Sequence, residues 1–386
     1  MEKSSVNNML VKRLNRNKVF RFIIRKEQLS RPEISEGLGI SMPTVLSLIN
    51  ELFEMGLIQE VGKFESTGGR RAVAISPVYD ARFAVGLDIT AHHISMVLTD
   101  LSARVLKHDR IKLPFVMSSQ YVAEISALLE AFIESTQINK EKILGVGISI
   151  PGIVDLKNEN ILVSHALKIS NVAFEHFSRQ IPYHCRFVND ANAAAYAEIF
   201  DSDFSLNATL LSLSDTVGGA IIHKTGSMDM SDSDGSYIIL GDNWKSGEIG
   251  HMTLYPYGKP CYCGKSGCFD AYCSAKVLSQ HTDGDLKAFF RKLDEGNAAF
   301  SAVWEEYLDN LAIMVNNIRM MHDCDIIIGG YVGSYIKPYF PAFSEKVKAL
   351  NTFHEDIGFI KLCNYHVEAS AFGAALLFVE DFIKSV

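Results

Sequence analysis

The sequence predicts an α/β protein preceded by a winged helix-turn-helix domain, and three features carry this prediction. From residue 82 onward, apolar segments of strand length alternate with helical patterns, which is the order typical of α/β architectures. Before residue 78, two short helical patterns precede two short strand patterns. One histidine and three cysteines cluster between residues 251 and 268. We place the winged helix-turn-helix domain at 1–77 and a second domain at 82–386.

Composition limits the class of protein. A chain of 386 residues with 48% hydrophobic residues fits a globular protein of two or three domains. No apolar run reaches the ~18–20 residues of a membrane helix, and the polar N-terminus lacks the apolar region of a signal peptide. The seven cysteines are crowded rather than spaced like a secreted disulfide framework. We expect a cytoplasmic protein without a membrane segment.

Charge is unevenly distributed along the chain. The net charge is −8, but residues 1–75 carry twelve lysines and arginines against eight acidic residues. A basic N-terminal segment on an acidic protein indicates a nucleic-acid-binding module joined to a domain with another task. Charge alone fits a chance fluctuation equally well, so the motifs must decide.

The N-terminal segment contains a helix-turn-helix pattern. Ser30 and Glu33 fit a capping box that begins one short helix, which should end near Gly39. A second helix starts after Ser41 and ends by Gly56. Its apolar residues recur at the spacing of one buried helical stripe: Val45, Leu48, Ile49, Leu52 and Phe53. Two helices with a short glycine turn describe a helix-turn-helix. The opposite face offers small polar side chains for DNA contacts: Ser41, Thr44, Ser47 and Asn50.

Two strand patterns, at 57–62 and 71–75, complete a winged helix. Between them lies Ser-Thr-Gly-Gly-Arg-Arg, whose Arg70 and Arg71 we expect to enter a minor groove of double-stranded DNA. Palindromic operators require a two-fold protein, so we also expect a homodimer or a higher homo-oligomer. A helical protein–protein interaction module is the alternative interpretation of this segment.

The histidine and cysteines predict a structural zinc site. Zn²⁺ takes four nitrogen or sulfur ligands in a tetrahedron, and a structural site fills all four positions with protein groups. Four residues supply such a set: His251, Cys261, Cys263 and Cys268. Chance clustering of buried thiols is the alternative, but crowded cysteines in intracellular chains usually mark metal or catalytic sites.

The same segment resembles a known signature. Gly-Glu-Ile-Gly-His at 247–251, followed by Cys-x-Cys-Gly-x-x-Gly-Cys at 261–268, resembles the zinc-bearing motif of the ROK family of repressors, open reading frames and sugar kinases. Ser-Thr-Gly-Gly-Arg-Arg also looks like the wing of ROK repressors. The resemblance implies a two-lobed actin-like, hexokinase-type domain with a sugar pocket beside the zinc. A strand–turn–strand pattern that occurs at 84–98 and again at 208–222 fits two such lobes.

The resemblance also implies a set of sugar-binding residues. Asn-Asp-Ala-Asn at 189–192 is similar to the motif in which ROK kinases use the aspartate as a general base on a sugar hydroxyl. On the residues alone, helix capping explains this motif better. The set implied by the resemblance is Asn189, Asp190, Glu248, His251 and Asp270. Asp270 stands where the family usually has glutamate, and because aspartate is one methylene shorter, we expect its contact to the sugar to reach through water.

The nucleotide-binding segments depart from the kinase pattern. The first phosphate loop of ROK kinases reads Asp-x-Gly-Gly-Thr, whereas residues 88–92 read Asp-Ile-Thr-Ala-His without a glycine. The second loop begins with Asp215, whose charge would repel phosphates, while Gly329 and Gly330 are retained. These departures argue against phosphoryl transfer and leave Asp190 as a vestigial base that binds sugar.

We therefore predict a DNA-binding transcriptional regulator that responds to a sugar or sugar phosphate, a repressor of carbohydrate uptake or catabolism genes and not an enzyme. The segment 76–79 is the expected hinge between its two domains. An ATP-dependent ROK sugar kinase with a fused DNA-binding domain is the alternative. A zinc-bearing protein-interaction scaffold without a sugar ligand is a third hypothesis.

Overall fold

The computed structural model describes residues 2–64, 72–201, 207–224, 236–351, 353 and 356–386. Its N-terminal module has three helices and a two-stranded antiparallel sheet: α1 (Glu2–Ile24), α2 (Arg31–Leu38), α3 (Met42–Glu54), β1 (Ile58–Lys63) and β2 (Val73–Pro77). The sequence predicts all of these elements except α1. The strands lie within two residues of their predicted positions.

Local contacts explain where the two short helices begin and end. The Ser30 side chain accepts from the Glu33 N–H, and the Glu33 carboxylate accepts from the Ser30 N–H at 2.7 Å. Gly39 ends α2 in the left-handed region at φ 63°, where glycine is unstrained. Helix α3 buries four residues of the predicted stripe, Val45, Leu48, Ile49 and Leu52, and leaves the fifth, Phe53, half-buried. The capping box and the helix-turn-helix are therefore formed as predicted.

A five-stranded mixed sheet forms the first lobe. Its strands are β3 (Phe83–Ile89), β4 (His93–Asp100), β5 (Val105–Lys112), β6 (Ile143–Ile150) and β10 (Cys185–Asn189), in the order β10-β6-β3-β4-β5. A small antiparallel sheet lies beside it, formed by β7 (Ile153–Asp155), β8 (Asn160–Ser164) and β9 (Ile169–Ala173). The helices of this part are α4 (Ser119–Glu134) and α5 (Glu175–Ser178).

The second lobe repeats this plan. Its strands are β11 (Ala208–Leu213), β12 (Val217–Lys224), β13 (Ser236–Ile238), β14 (Asp325–Gly329) and β15 (Ile360–Leu362), in the order β13-β12-β11-β14-β15. Its helices are α7 (Asp270–Cys273), α8 (Ala275–Ser279), α9 (Leu286–Asp294), α10 (Ala298–His322), α11 (Gly330–Gly333) and α12 (Phe340–Leu350). Each lobe opens on an antiparallel hairpin whose first strand also pairs in parallel with a later strand. The two-lobed α/β architecture is confirmed.

Two remaining helices, α6 (Asp190–Asp201) and α13 (Ala369–Ser385), pack tightly together. A Cβ added at Gly373 would lie 1.6 Å from the carbonyl oxygen of Ala193, so only glycine permits this approach of α13 to α6. On another side, α13 lies against the first sheet, where a Cβ at Gly86 would lie 1.7 Å from the Ala371 carbonyl oxygen. Helix α13 is thereby wedged between the first sheet and α6.

The N-terminal module packs directly on α13. Arg16 Nε donates to the Val386 carbonyl at 2.6 Å, and Arg21 pairs with Glu380 at 2.8 Å. One apolar cluster includes Phe20 of α1 and Val379 of α13. The missed helix α1 is therefore the element that joins the module to the first lobe. Of the helices described, none combines the length and apolar character that crossing a bilayer requires.

Candidate functional site

The turn from β10 into α6 carries the first part of the site. Asn189 ends the strand, and Asp190 begins the helix. The Asn189 side chain donates to the Gly152 carbonyl at 2.9 Å and accepts from the Asn192 N–H at 3.0 Å. Asn189 therefore caps the helix, as its residue type favours, and holds the loop after β6 against it. This leaves the Asp190 carboxylate at the positive end of α6.

A cavity of about 350 Å³ lies above this helix terminus, between the lobes. Four of the five predicted sugar-binding residues line it: Asn189, Asp190, Glu248 and His251. The first two come from the β10–α6 turn, and the other two come from the Gly-Glu-Ile-Gly-His segment of the second lobe. The structure thus brings together residues that are about 60 positions apart in the sequence.

The two carboxyl groups in this cavity are desolvated. Burial raises the pKa of Asp190 above its ordinary value. Burial also raises the pKa of Glu248 to about 7, and the nearby charge of Asp190 adds to this effect. Two carboxyl groups that share one cavity do not both ionise readily at neutral pH. Between them they offer acceptors and a donor, which suits a ligand with several hydroxyl groups.

Asp270, the fifth predicted residue, occupies a different place. Its side chain is 4% exposed and is not among the described residues that line the cavity. Its carboxylate accepts from the Val217 N–H at 2.6 Å and from the Tyr262 hydroxyl at 3.3 Å. The Asp270 carboxylate is therefore engaged in hydrogen bonds behind the cavity wall. Of the five residues implied by the resemblance, Asp270 is the one that this structure does not bring to the cavity.

The predicted metal ligands converge. One ligand atom from each of His251, Cys261, Cys263 and Cys268 lies within 4.8 Å of the others. The Cys263 and Cys268 sulfurs are 3.7 Å apart, close to the ~3.8 Å edge of a tetrahedron with Zn–S bonds of about 2.3 Å. Burial lowers the pKa of His251, which favours the neutral imidazole that binds metal. Three sulfurs and one imidazole nitrogen at this spacing fit a structural Zn²⁺.

The loop that carries these ligands is shaped by glycines and reaches the cavity. Gly264 and Gly267 adopt φ values of 90° and 80°, which let the chain reverse between the cysteines. His251, Tyr262 and Cys263 of this metal loop line the cavity wall. The metal site and the cavity therefore share a wall, so the metal would fix the backbone on which that wall is built.

A second, smaller cavity of about 50 Å³ lies on the other side of Asp190. The segments that correspond to the phosphate loops of the kinases meet there: Asp88 and Thr90, Asp215 and Thr216, and Gly330. Arg110 crosses between the lobes beside it and donates to the Tyr331 hydroxyl at 3.0 Å, with its guanidinium 4.8 Å from the ring. Aspartates face this space where backbone N–H groups on glycines would be needed to hold phosphate.

The residues predicted to contact DNA lie on the solvent-facing side of α3 and at its N-terminus. Ser41, Ser47 and Asn50 are exposed, Thr44 is half-buried, and the Ser41 and Thr44 hydroxyls are 2.9 Å apart. Arg70 and Arg71, the predicted wing arginines, lie outside the described residues. Their role in DNA binding remains a prediction.

Sequence reasoning missed several side chains that line the larger cavity: His165, Trp244, Lys245 and Tyr262. Trp244 has φ 60°, an uncommon conformation for a bulky residue that marks functional sites. One signal was present in the sequence, because Trp244 is one of only two tryptophans and lies just before Gly-Glu-Ile-Gly-His.

Together, these features define a class: a winged helix-turn-helix module packed on a two-lobed, actin-like α/β domain with a cavity between the lobes and a Cys₃His cluster in the cavity wall. A model of the ROK family matches residues 84–381. The chain belongs to the ROK family.

Known proteins agree with this assignment. The chain is 29% identical over 277 residues to the xylose repressor of Bacillus spizizenii, covering 69% of this chain and 67% of that protein. It is 26% identical over 373 residues to the DNA-binding transcriptional dual regulator NagC of Escherichia coli. This match covers 91% of this chain and 89% of that protein.

Solved structures share the fold. A ROK family transcriptional regulator, described as a homolog of the E. coli MLC protein, superimposes with a TM-score of 0.72 at 18% identity and covers 97% of each chain. A ROK family glucokinase from Streptomyces griseus, in complex with glucose and AMPPNP, superimposes with a TM-score of 0.62 at 20% identity. This superposition covers 76% of this chain and 98% of the glucokinase. The regulator thus matches the N-terminal module as well, whereas the kinase leaves about a quarter of this chain unmatched.

Proposed function

We propose that the protein is a transcriptional regulator, a repressor, whose affinity for an operator in double-stranded DNA is changed by a sugar bound between its lobes. The observation that carries this proposal is the packing of the α3-bearing module on the same lobe that forms the Asn189–Asp190 side of the cavity. Its relatives include proteins named xylose repressor and N-acetylglucosamine repressor. We extend the sugar response of those names to this chain.

The cavity chemistry supports a sugar or sugar phosphate as the effector. A sugar presents several hydroxyl groups, and each buried hydroxyl without a partner weakens the complex by about 1–3 kcal/mol. Asp190 and Glu248 provide oxygens for adjacent hydroxyls, and Trp244 provides an apolar surface. Lys245 at the same cavity supplies a cation that suits a phosphorylated sugar.

Sugar phosphorylation is the second candidate activity, and the second cavity argues against it. Phosphoryl transfer depends on positioning a nucleotide through backbone N–H groups and cations. Here Asp88 and Asp215 face that space, and the Arg110–Tyr331 contact bridges the lobes beside it. In this proposal Asp190 binds sugar hydroxyls and does not act as a general base.

The remaining parts of the proposal follow from this role. The effector domain contains one structural Zn²⁺, the chain acts in the cytoplasm, and it binds DNA as a homodimer because one module contacts one half-site. Residues 1–77 form the DNA-binding domain, and 82–386 form the effector domain. The alternative of a zinc-bearing scaffold without a ligand leaves the two desolvated carboxyl groups of the cavity unexplained.

The test combines DNA binding with sugar binding in the full chain. A duplex selected from a random library is labelled, and its dissociation constant is measured with and without D-xylose, D-glucose, N-acetyl-D-glucosamine and the 6-phosphates of the last two. We expect one of these probes to weaken DNA binding about fivefold or more. A coupled assay with ATP should show negligible phosphorylation of the three free sugars. Turnover near the typical enzyme median of ~10 s⁻¹ would instead establish the kinase.

A further inference from the structure

Tyr262 is an aromatic side chain of the metal loop that lines the larger cavity. It lies between two metal ligands, Cys261 and Cys263, and lines the cavity wall. Its side chain is 47% exposed in the ligand-free chain, although it belongs to a loop held at four points by the predicted ligands. A half-exposed aromatic ring on a fixed loop is preorganised for a ligand rather than for the core.

The phenol is held in place from behind by Asp270. Its hydroxyl donates to Asp270 Oδ2 at 3.3 Å, and the same oxygen accepts from the Val217 N–H at 2.6 Å. Asp270 therefore ties the metal loop to β12 of the second lobe. Because its carboxylate is engaged in this way and buried, its contribution to a ligand acts through Tyr262.

Tyr262 also belongs to a small aromatic wall. Its ring centroid is 5.5 Å from that of His251 and 6.2 Å from that of His165, both in edge-to-face orientation. The two histidine rings are 5.9 Å apart. Such a wall matches the apolar C–H face of a sugar ring, while Asp190 and Glu248 elsewhere in the cavity match its hydroxyls.

We propose that Tyr262, and not Asp270, is the contact that this wall makes with the sugar, and that Asp270 is a positioning residue for the Tyr262 ring. The inference deepens the proposed function and rests on it. It assigns to the ligand a sugar ring that packs one C–H face against Tyr262. It also explains how a chain with the shorter acid at position 270 keeps a complete cavity wall.

Calorimetric titration of the full zinc-loaded chain tests the proposal, with the same five sugars and sugar phosphates as probes. For the probe that binds the wild type, Tyr262→Ala should weaken binding about tenfold or more, because the ring surface is lost. Tyr262→Phe should stay within about threefold, because the ring remains. Tyr257→Ala is the matched control, since Tyr257 lies on the same loop, is 99% exposed and is not among the described residues that line the cavity.

Asp270→Asn, alone and combined with Tyr262→Ala, separates positioning from direct contact. If Asp270 acts through Tyr262, its substitution adds little once the ring is gone, whereas additive losses would show an independent contact and overturn the proposal. Wild-type affinity in Tyr262→Ala would overturn it as well. Zinc content and melting temperature, measured for each variant, identify losses caused by a collapsed loop. Failure of every probe to bind the wild type would instead reject the proposed function, and this inference with it.

Discussion

Asp88 is a single buried carboxyl group that should make the stability of the protein depend on pH. It is 5% exposed near the end of β3, and Ser149 donates to it at 2.8 Å. Burial raises the pKa of Asp88 to about 7, from an ordinary value of 3.8. Since the folded state binds this proton more tightly than the unfolded state, the free energy of unfolding should fall as the pH rises from about 4 to about 7.

Asp88→Asn removes this charge and keeps an acceptor for Ser149. We expect the variant to be more stable than the wild type at pH 8, by at most roughly 4 kcal/mol, with a smaller gain at pH 5.5. Urea unfolding at the two pH values measures the difference. Asp242→Asn, at an exposed position, is the control and should change stability little at either pH. A gain that does not vary with pH would rule out the buried charge as its cause.

For the residues of the candidate site, the sequence predicts identities better than side-chain directions. Asn189, Asp190, Glu248 and His251 reach the cavity because each is fixed by a motif at the end of a strand or in a glycine-rich turn. Asp270 turns away because the Val217 N–H, 53 residues earlier, binds its carboxylate. A contact of that kind depends on how β12 lies against the metal loop, and no local pattern contains that information.

The metal loop is an element of irregular structure. Apart from single bridges at Thr253–Cys268 and Pro260–Ser266, residues 252–269 lie outside the named helices and strands. Backbone hydrogen bonds order part of the loop, such as those from the Leu254 N–H to the Gly267 carbonyl at 2.7 Å and from the Cys261 N–H to the Lys265 carbonyl at 2.8 Å. We expect a bound metal to fix the rest. The sequence predicts the cluster because all four ligands lie close together along the chain, between His251 and Cys268.

Cys263→Ser should therefore release zinc and loosen the loop. Elemental analysis should find about one zinc per wild-type chain and markedly less in the variant, and proteolysis should cut the variant within 247–270. Sugar affinity should fall in parallel, because His251 and Tyr262 line the cavity. Cys185→Ser, at a half-buried cysteine outside the cluster, should keep its zinc. A zinc-free variant that resists protease and keeps wild-type sugar affinity would contradict the assignment.

Helix α13 is the element that connects the two functional sites. Near its N-terminus, the Ser370 hydroxyl donates to the Asp190 carbonyl at 3.0 Å. Near its C-terminus, Glu380 and Val386 contact Arg21 and Arg16 of α1. The sequence did not predict this connection, because α1 lacks a clear apolar stripe and becomes a packing element only through α13.

Ser370→Ala should reduce the coupling between sugar and DNA. We expect near wild-type affinity for DNA alone, but a several-fold smaller effect of sugar on that affinity, within the ~5–150-fold range of typical couplings. The measurement is a DNA titration at zero and saturating sugar. Ser385→Ala is the control, because among the described residues that hydroxyl bonds to the Phe382 carbonyl of its own helix at 2.7 Å. Unchanged coupling in Ser370→Ala would show that the hydrogen bond between Ser370 and Asp190 does not transmit the effect of sugar to the DNA-binding module.

For the whole molecule, the contacts of the predicted hinge favour a rigid junction in the described state. The Val78 N–H donates to the Leu57 carbonyl at 2.9 Å, and the Leu101 N–H donates to the Tyr79 carbonyl at 3.1 Å. With α1 also packed on α13, the DNA-binding module should move together with the first lobe. A sugar can then change DNA binding only through its different affinity for two arrangements of the lobes.

Asp190→Asn tests that dependence in the intact regulator. Asparagine keeps the oxygen that accepts from the Ala191 N–H at 2.9 Å, so α6 and the fold should be preserved. It removes the carboxylate that accepts from sugar hydroxyls, and sugar affinity should fall about tenfold or more. DNA affinity without sugar should stay within about twofold, because no hydrogen bond or ion pair from the described part of the module reaches Asp190. The sugar should no longer release the operator at concentrations that saturate the wild type. Simultaneous loss of DNA binding would show instead that Asp190 supports the DNA-binding arrangement of the lobes, and the cavity would then not be a separate effector site.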